Sequence, residues 1–257
     1  MLLIIFSLVT IIIGYVIYIS VKTKPPLPQW EADIQKNILQ QHVLFYQQLN
    51  EEEKNEFENR IQRFLQNVRI TGIETTIDDN DRVFVAAGAI IPVFAYKGWE
   101  YRNIHEVLIY PGSFNKDYQT KGKERDLLGM VGNGPMQDIM ILSQQSLRNS
   151  FLNSNTKSNT AIHEFVHLLD KDDGYTDGCP ENLLNHKYAL PWLKRIHEEI
   201  ILIQKGKSDI NPYGATNEAE FLAVASEYFF GQPQLMQRKH PDLYNLLEQV
   251  FIPVNKE

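Results

Sequence analysis

The sequence predicts an α+β fold that is mainly helical with a small mixed sheet. Two short strand patterns, residues 107–110 and 136–143, precede a largely helical half of the chain. Strands and helices do not alternate along the chain, as they would in a doubly wound parallel sheet. The 257 residues are 43% hydrophobic and 22% charged, enough apolar material for one sizeable core. We therefore expect one compact domain over residues 31–257.

The first 21 residues predict a membrane anchor. They contain no charged side chain, and about 20 apolar residues are needed to cross a bilayer as a helix. A cleaved signal peptide is the alternative, but the segment lacks a basic start and an A-x-A cleavage site. Lys22 and Lys24 follow the apolar run. By the positive-inside rule they predict a single-pass protein of the inner (cytoplasmic) membrane with its body in the cytoplasm.

A Pro-rich linker, residues 22–30, separates this anchor from two helical patterns. The first pattern covers residues 30–50. The second begins after Asn50, a plausible N-cap that precedes three acidic residues suited to the start of a helix. The uncharged run 83–96 is too short to span a membrane and predicts a buried core helix. The strand patterns 107–110 and 136–143 follow, and then the segment that carries the chemistry.

Charge and cysteine content exclude several kinds of site. The formal net charge is -7, which argues against a nucleic-acid-binding surface because such surfaces concentrate Lys and Arg. Cys179 is the only cysteine, so an intrachain disulfide and a thiolate metal cluster are both excluded. Any metal must therefore be bound by His, Asp and Glu side chains.

The segment NTAIHEFVHLLD, residues 159–170, predicts a helix that binds a metal ion. At 100° per residue, His163 and His167 lie 40° apart and one turn apart on the same helix face. Two imidazoles so placed can bind one zinc ion, and Glu164 beside them can act on a water at that ion. Asp170 shares the same face. It is either an acceptor for an imidazole N–H or a surface acid at the end of the helix.

A catalytic zinc ion usually has three protein ligands, so one more is needed. Asp173 stands where the metzincin pattern places its third ligand, but position 170 is Asp instead of the Gly that this turn requires. Residues 211–230 offer Glu218, Glu220 and Glu227 instead. Glu220 and Glu227 share one stripe of an apolar helical pattern, where acids need a partner. We interpret Glu227 as a residue that supports a ligand.

Four segments resemble the zinc peptidase family of the Mlc titration factor (MtfA): HEVLIYPGSF, HEFVHLLD, YGATNEAEFLAVASEYFF and PDLYNLL. The site segments are also similar to the catalytic domain of anthrax lethal factor. The resemblance implies a zincin-like metallopeptidase domain with Zn(2+) bound by His163, His167 and Glu220. It further implies Glu164 as the general base and Tyr213 as a hydrogen-bond donor to the developing oxyanion.

The resemblance implies hydrolysis of peptide bonds by a metal-activated water, with aminopeptidase-type action on short peptides. Glu218 or Glu227 is then a candidate to bind the free amine of the substrate. The strand around 138–142 is predicted to pair with the substrate main chain. Two other hypotheses remain: a regulatory protein that binds a transcriptional repressor or another partner, and a structural domain with incidental histidines.

Overall fold

The computed structural model describes most of the chain beyond its N-terminal segment, namely residues 29–121, 125–132, 136–153, 155–180, 183 and 186–252. By internal contacts the chain divides into Met1–Ile34 and Gln35–Glu257. The elements that carry the site all lie in the second unit. The predicted boundaries of the linker, 22–30, and of the domain, 31–257, remain predictions.

The predicted transmembrane helix is corrected by the structure. Within the described residues, no helix is both long enough and apolar enough to cross a bilayer. The core helix over 79–90 has only 12 residues, and the 19-residue helix over 186–204 carries Lys, Arg and Glu along its length. Residues 1–21, where the span was predicted, lie outside the described part of the chain. The expected single-pass location at the inner membrane is withdrawn with it.

The first three helices are α1 (Gln29–His42), α2 (Leu44–Gln47) and α3 (Glu51–Asn67). The helix expected over 30–50 is interrupted at Val43, whose backbone is extended. The prediction for Asn50 is confirmed. Its side chain accepts the backbone N–H of Glu53 at 3.0 Å, and Glu53 in return accepts the backbone N–H of Asn50 at 2.9 Å.

The strands form one four-stranded sheet, in the order β1-β2-β4-β3. Its strands are β1 (Arg69–Gly72), β2 (Glu106–Tyr110), β3 (Gly129–Val131) and β4 (Ile139–Ser143). The first two pairings are parallel, and β3 pairs with β4 antiparallel. The sheet is therefore mixed, as predicted. Patterning identified β2 and β4 but not β1 and β3, which are short and only partly buried.

The uncharged run predicted as a core helix forms most of α4 (Asp79–Ile90), which continues as a 3-10 turn at Ile91–Val93. This helix connects the parallel strands β1 and β2, so the chain does contain one strand–helix–strand crossover that its sequence pattern did not predict. Gly88 lets α4 approach the helix that carries the histidines, because a Cβ there would collide with the Cβ of Ala161.

The remaining helices complete the core. They are α5 (Gln144–Leu152), α6 (Thr160–Asp170), α7 (His186–Gln204), α8 (Glu218–Gly231), α9 (Pro233–Lys239) and α10 (Pro241–Phe251). Among these, α6 and α8 pack closely against each other, and α6 also contacts β3. Both contacts involve the predicted site, since α6 carries the histidine pair and α8 carries the later glutamates.

Candidate metal centre

Helix α6 packs its apolar side chains into the core and leaves its two histidines partly buried. Its first turn is capped by Asn159, whose side chain accepts the N–H of Ile162 at 3.1 Å. Apolar side chains on α6 are buried, namely Ala161, Ile162, Phe165, Val166, Leu168 and Leu169. The rings of His163 and His167 lie 4.8 Å apart between centroids, and their Nε2 atoms are 3.2 Å apart. The local spacing of the motif thus produces two convergent ring nitrogens.

Helix α8 supplies a carboxylate to the same point. Asn217 caps this helix, and Glu220 lies in its first turn. Glu220 Oε2 is 3.1 Å from His163 Nε2 and 3.4 Å from His167 Nε2. The three atoms form a nearly equilateral triangle and belong to a group of residues that could hold a metal ion.

The triangle has the size that a metal ion requires. A tetrahedral centre with bonds of about 2.0–2.2 Å has neighbouring ligand atoms about 3.3–3.6 Å apart. The observed separations of 3.1, 3.2 and 3.4 Å lie close to this value. Three convergent ligands leave a fourth direction for water or a substrate atom.

Glu227 lies seven residues and two turns beyond Glu220 on α8. It contacts the ring nitrogen of His163 that faces away from the centre. Its Oε1 lies 2.7 Å from Nδ1 of His163, and its Oε2 accepts the backbone N–H of Asn159 at 2.6 Å. The first contact presents Nε2 of His163 to the centre, and the second ties α8 to the start of α6. With both oxygens engaged, Glu227 is a poor candidate for binding a substrate amine.

The electrostatics of the site favour positive charge at the centre. Burial by itself lowers the pKa of His163, but hydrogen bonds with Glu220 and Glu227 raise it to about 10. Burial likewise raises the pKa of Glu220, whereas hydrogen bonds from His163 and His167 lower it to about 2. Two carboxylates directed at one imidazole therefore stabilise either a bound proton or a metal cation at this position.

The two residues predicted to act in catalysis also lie at this centre. Glu164 is buried on α6, and burial raises the pKa of its carboxyl. Tyr213 lies in the 3-10 turn Pro212–Ala215 with its ring centroid 6.0 Å from that of His163. The pKa of Tyr213 is raised by partial burial and by the nearby carboxylates of Glu220 and Glu164. The structure thus brings together all five residues that were predicted.

This centre can be compared with known proteins. A family model described as glucose-regulated metallo-peptidase M90 matches residues 22–252. The chain belongs to this family. Mlc titration factor A of Escherichia fergusonii is 31% identical over 242 residues, which cover 87% of this chain and 85% of that protein. Mlc titration factor A of Pectobacterium atrosepticum is 28% identical over 242 residues, covering 88% of this chain and 86% of that protein. An uncharacterized protein of Synechocystis is 28% identical over 239 residues, covering 89% of this chain and 85% of that protein.

Membership of the M90 family confirms the predicted resemblance to the Mlc titration factor. It also makes the chain a metallopeptidase-type protein, and a metallopeptidase requires a metal ion. In the described part of this M90 protein, His163, His167 and Glu220 form a group that could hold one.

Asp170 plays a different part from either of the two predicted. It is buried, so it is not a surface acid. Its Oδ2 accepts the backbone N–H of Gly178 at 2.9 Å, and the carbonyl of Gly178 accepts the indole N–H of Trp192 at 2.7 Å. Asp170 therefore holds the loop after α6 against α7. Within the described residues, Asp170 Oδ1 and His167 Nδ1 are both buried without a hydrogen-bond partner.

The strand predicted to bind substrate is not accessible to it. Strand β4 is paired with β2 on one side and β3 on the other, so its main-chain groups are already used. The edge next to α6 belongs to β3 instead. The bonds from Gly132 N–H to Ile139 and from Ser143 N–H to Leu128 orient alternate residues of β3 toward β4. Gly129 and Val131 consequently direct their main-chain groups away from it.

Two residues of the centre were missed by sequence reasoning. Asn159 links α6 to Glu227 as well as capping α6, and an Asn just before an apolar helix is a recognisable N-cap signal. Gly129 lies against Glu164 from the neighbouring strand. No local pattern marks that glycine, because its strand has only three residues and its contact is 35 positions away in the chain.

Proposed function

We propose that this chain hydrolyses peptide bonds with a zinc ion bound by His163, His167 and Glu220 and with Glu164 as the general base. The observation that carries the proposal is the triangle of three ligand atoms beside a buried glutamate. Two imidazoles and one carboxylate are a common ligand set for catalytic zinc. When bound, zinc supplies a Lewis acid that polarises a carbonyl and makes water a stronger nucleophile at neutral pH.

Glu164 is suited to moving the proton. Its burial raises the pKa of the carboxyl, so the group accepts a proton from water more readily than an exposed glutamate would. The same carboxyl can then return that proton to the leaving amine. Tyr213 keeps its phenolic proton, since its pKa is raised, and can donate a hydrogen bond to the oxygen that develops negative charge.

We further propose that the substrate lies along strand β3. Gly129 and Val131 direct main-chain groups outward at an edge that no other described strand pairs with, although a single bridge to Phe114 occupies this edge at Leu127. An extended peptide can add to such an edge through backbone hydrogen bonds. This replaces the earlier prediction for residues 138–142 and places the peptide next to Glu164.

Aminopeptidase-type action remains the proposed activity, and short peptides remain the proposed substrate class. Glu227 is engaged with His163 and Asn159, which leaves Glu218 as the glutamate available to an amine. The side chain of Glu218 is 41% exposed and has a single described ion pair, with His197 at 3.5 Å. Matched peptides with a free and with an acetylated N-terminus test this point, and equal cleavage of the two would contradict it.

The decisive experiment compares the purified full chain with Glu164→Gln. The variant should keep the zinc of the parent and lose peptide hydrolysis by about 10²–10⁴-fold, the usual contribution of a general base. Glu198→Gln is the matched control, since this side chain lies 47% exposed on α7. Undiminished turnover by Glu164→Gln would refute the assigned base. A zinc-loaded parent that cleaves neither free nor acetylated peptides would refute the peptidase.

Regulatory binding of a protein partner is the second candidate, because two of the relatives are titration factors of Mlc by name. Under this proposal the chain captures a transcriptional repressor or another partner, and catalysis is secondary. Binding of a purified partner that is unchanged in Glu164→Gln would support this function. Binding that disappears with the base would tie it to the hydrolytic site.

A further inference from the structure

Strand β3 passes so close to Glu164 that a side chain at position 129 would collide with the carboxyl of this glutamate. A Cβ on Gly129 would lie 2.7 Å from Cγ and 2.8 Å from Cδ of Glu164, and closer still to Oε1. Ordinary contacts between carbon atoms are about 3.5–4.0 Å. The carboxyl of Glu164 thus occupies the space that any other residue at 129 would fill.

Neither element can easily move away from this contact. Strand β3 is held to β4 by hydrogen bonds of 2.8 Å at both of its ends, from Gly132 to Ile139 and from Ser143 to Leu128. Helix α6 is in turn packed against α4 at the close approach of Gly88 to Ala161. A side chain added at 129 must therefore displace the flexible carboxyl of Glu164, by about 1 Å or more.

We propose that Gly129 is a positioning residue for Glu164. Because Gly129 has no side chain, the carboxyl can lie directly against it, beneath the edge where the peptide pairs. This inference rests on the proposed function. Gly129 also directs its backbone N–H and C=O outward. The stretch of main chain that would align the substrate therefore also determines the position of the Glu164 carboxyl. Gly129 alone would thus determine the distance between the base and the bound peptide.

The test replaces Gly129 by alanine in the full chain. Gly129→Ala should keep the zinc content of the parent and a KM within about threefold, while kcat falls about 10²-fold, as expected for a displacement of about 1 Å. Gly112→Ala is the matched control, because a Cβ there has only one neighbour, at 3.8 Å. A kcat of Gly129→Ala equal to that of the control would overturn the proposal.

A second measurement does not depend on activity. Gly129→Ala should lower Tm by about 3–10 °C, the usual effect of overpacking in a domain of this size. In a Glu164→Ala background the space is vacant, so the same substitution should leave Tm nearly unchanged. Equal losses of Tm in both backgrounds would overturn the proposed contact. This cycle remains valid if the parent proves to have no peptidase activity, so the two hypotheses fail separately.

Discussion

We expect Glu227→Gln, which replaces one side-chain oxygen by nitrogen, to reduce metal affinity measurably, because Glu227 supports the ring of His163. Glu227 accepts hydrogen bonds at both oxygens, from Nδ1 of His163 at 2.7 Å and from the backbone of Asn159 at 2.6 Å. In Glu227→Gln one oxygen becomes an NH₂ group. That group faces a donor, so either the imidazole or the helix N-terminus loses its acceptor.

The magnitude follows from which bond is lost. Removing the partner that orients a ligand histidine typically costs 10–100-fold in metal affinity, or about 1.4–2.7 kcal/mol. If the amide oxygen stays with His163, the unpaired N–H of Asn159 instead reduces the free energy of unfolding by about 1–3 kcal/mol. We therefore expect Glu227→Gln to lose zinc affinity, stability, or part of each.

The assay is competition for zinc with a coloured chelator at pH 7, together with urea unfolding in the presence of EDTA. Glu198→Gln on α7 serves as the exposed control and should match the parent in both measurements. A folded Glu227→Gln variant with zinc affinity within about twofold of the parent, and with unchanged stability, would refute the reasoning. Its carboxylate would then have no role in presenting His163.

Two other changes probe the centre and the fold around it. Glu220→Ala should reduce bound zinc from one per chain to nearly none after dialysis, because two imidazoles alone rarely retain the ion; one zinc per chain in the variant, measured by atomic absorption, would exclude Glu220 as a ligand. His240 lies 3.5 Å from Glu199 and 2.7 Å from Asp209, and these carboxylates raise its pKa above the ordinary value of 6.5. The stabilisation by this histidine is therefore complete below about pH 6.5 and is lost as the pH rises through the raised pKa. His240→Gln should cost more stability at pH 6 than at pH 9 in urea unfolding, and an equal cost at both would contradict the assignment.

Local geometry accounts for what could be predicted from sequence. His163 and His167 converge because residues four apart share a helix face, whatever surrounds the helix. The cap at Asn50 follows from side chains three residues apart, and the long uncharged run 83–96 predicted a core helix, which the structure has over 79–90. In each case the relevant atoms belong to one short segment, so backbone periodicity is sufficient.

The predicted transmembrane helix and membrane location were wrong by the described structure, and the crossover between β1 and β2 was missed. The prediction that β4 pairs with the substrate also failed because it depended on how the strands pack in the sheet. Strand β4 was recognised from its apolar pattern, but that pattern cannot tell an inner strand from an edge strand. The edge belongs to β3, which is too short to have a pattern of its own.

By itself, then, the sequence predicted a helix with two candidate metal-binding histidines, a candidate base between them and a limited set of candidate third ligands. Only the tertiary structure placed Glu220 at the triangle, Glu227 behind His163 and Glu218 at the surface. The same packing brought Gly129 against Glu164. The physical reason is that these contacts join segments tens of residues apart. Their geometry depends on how α6, α8 and β3 pack together, which no local periodicity specifies.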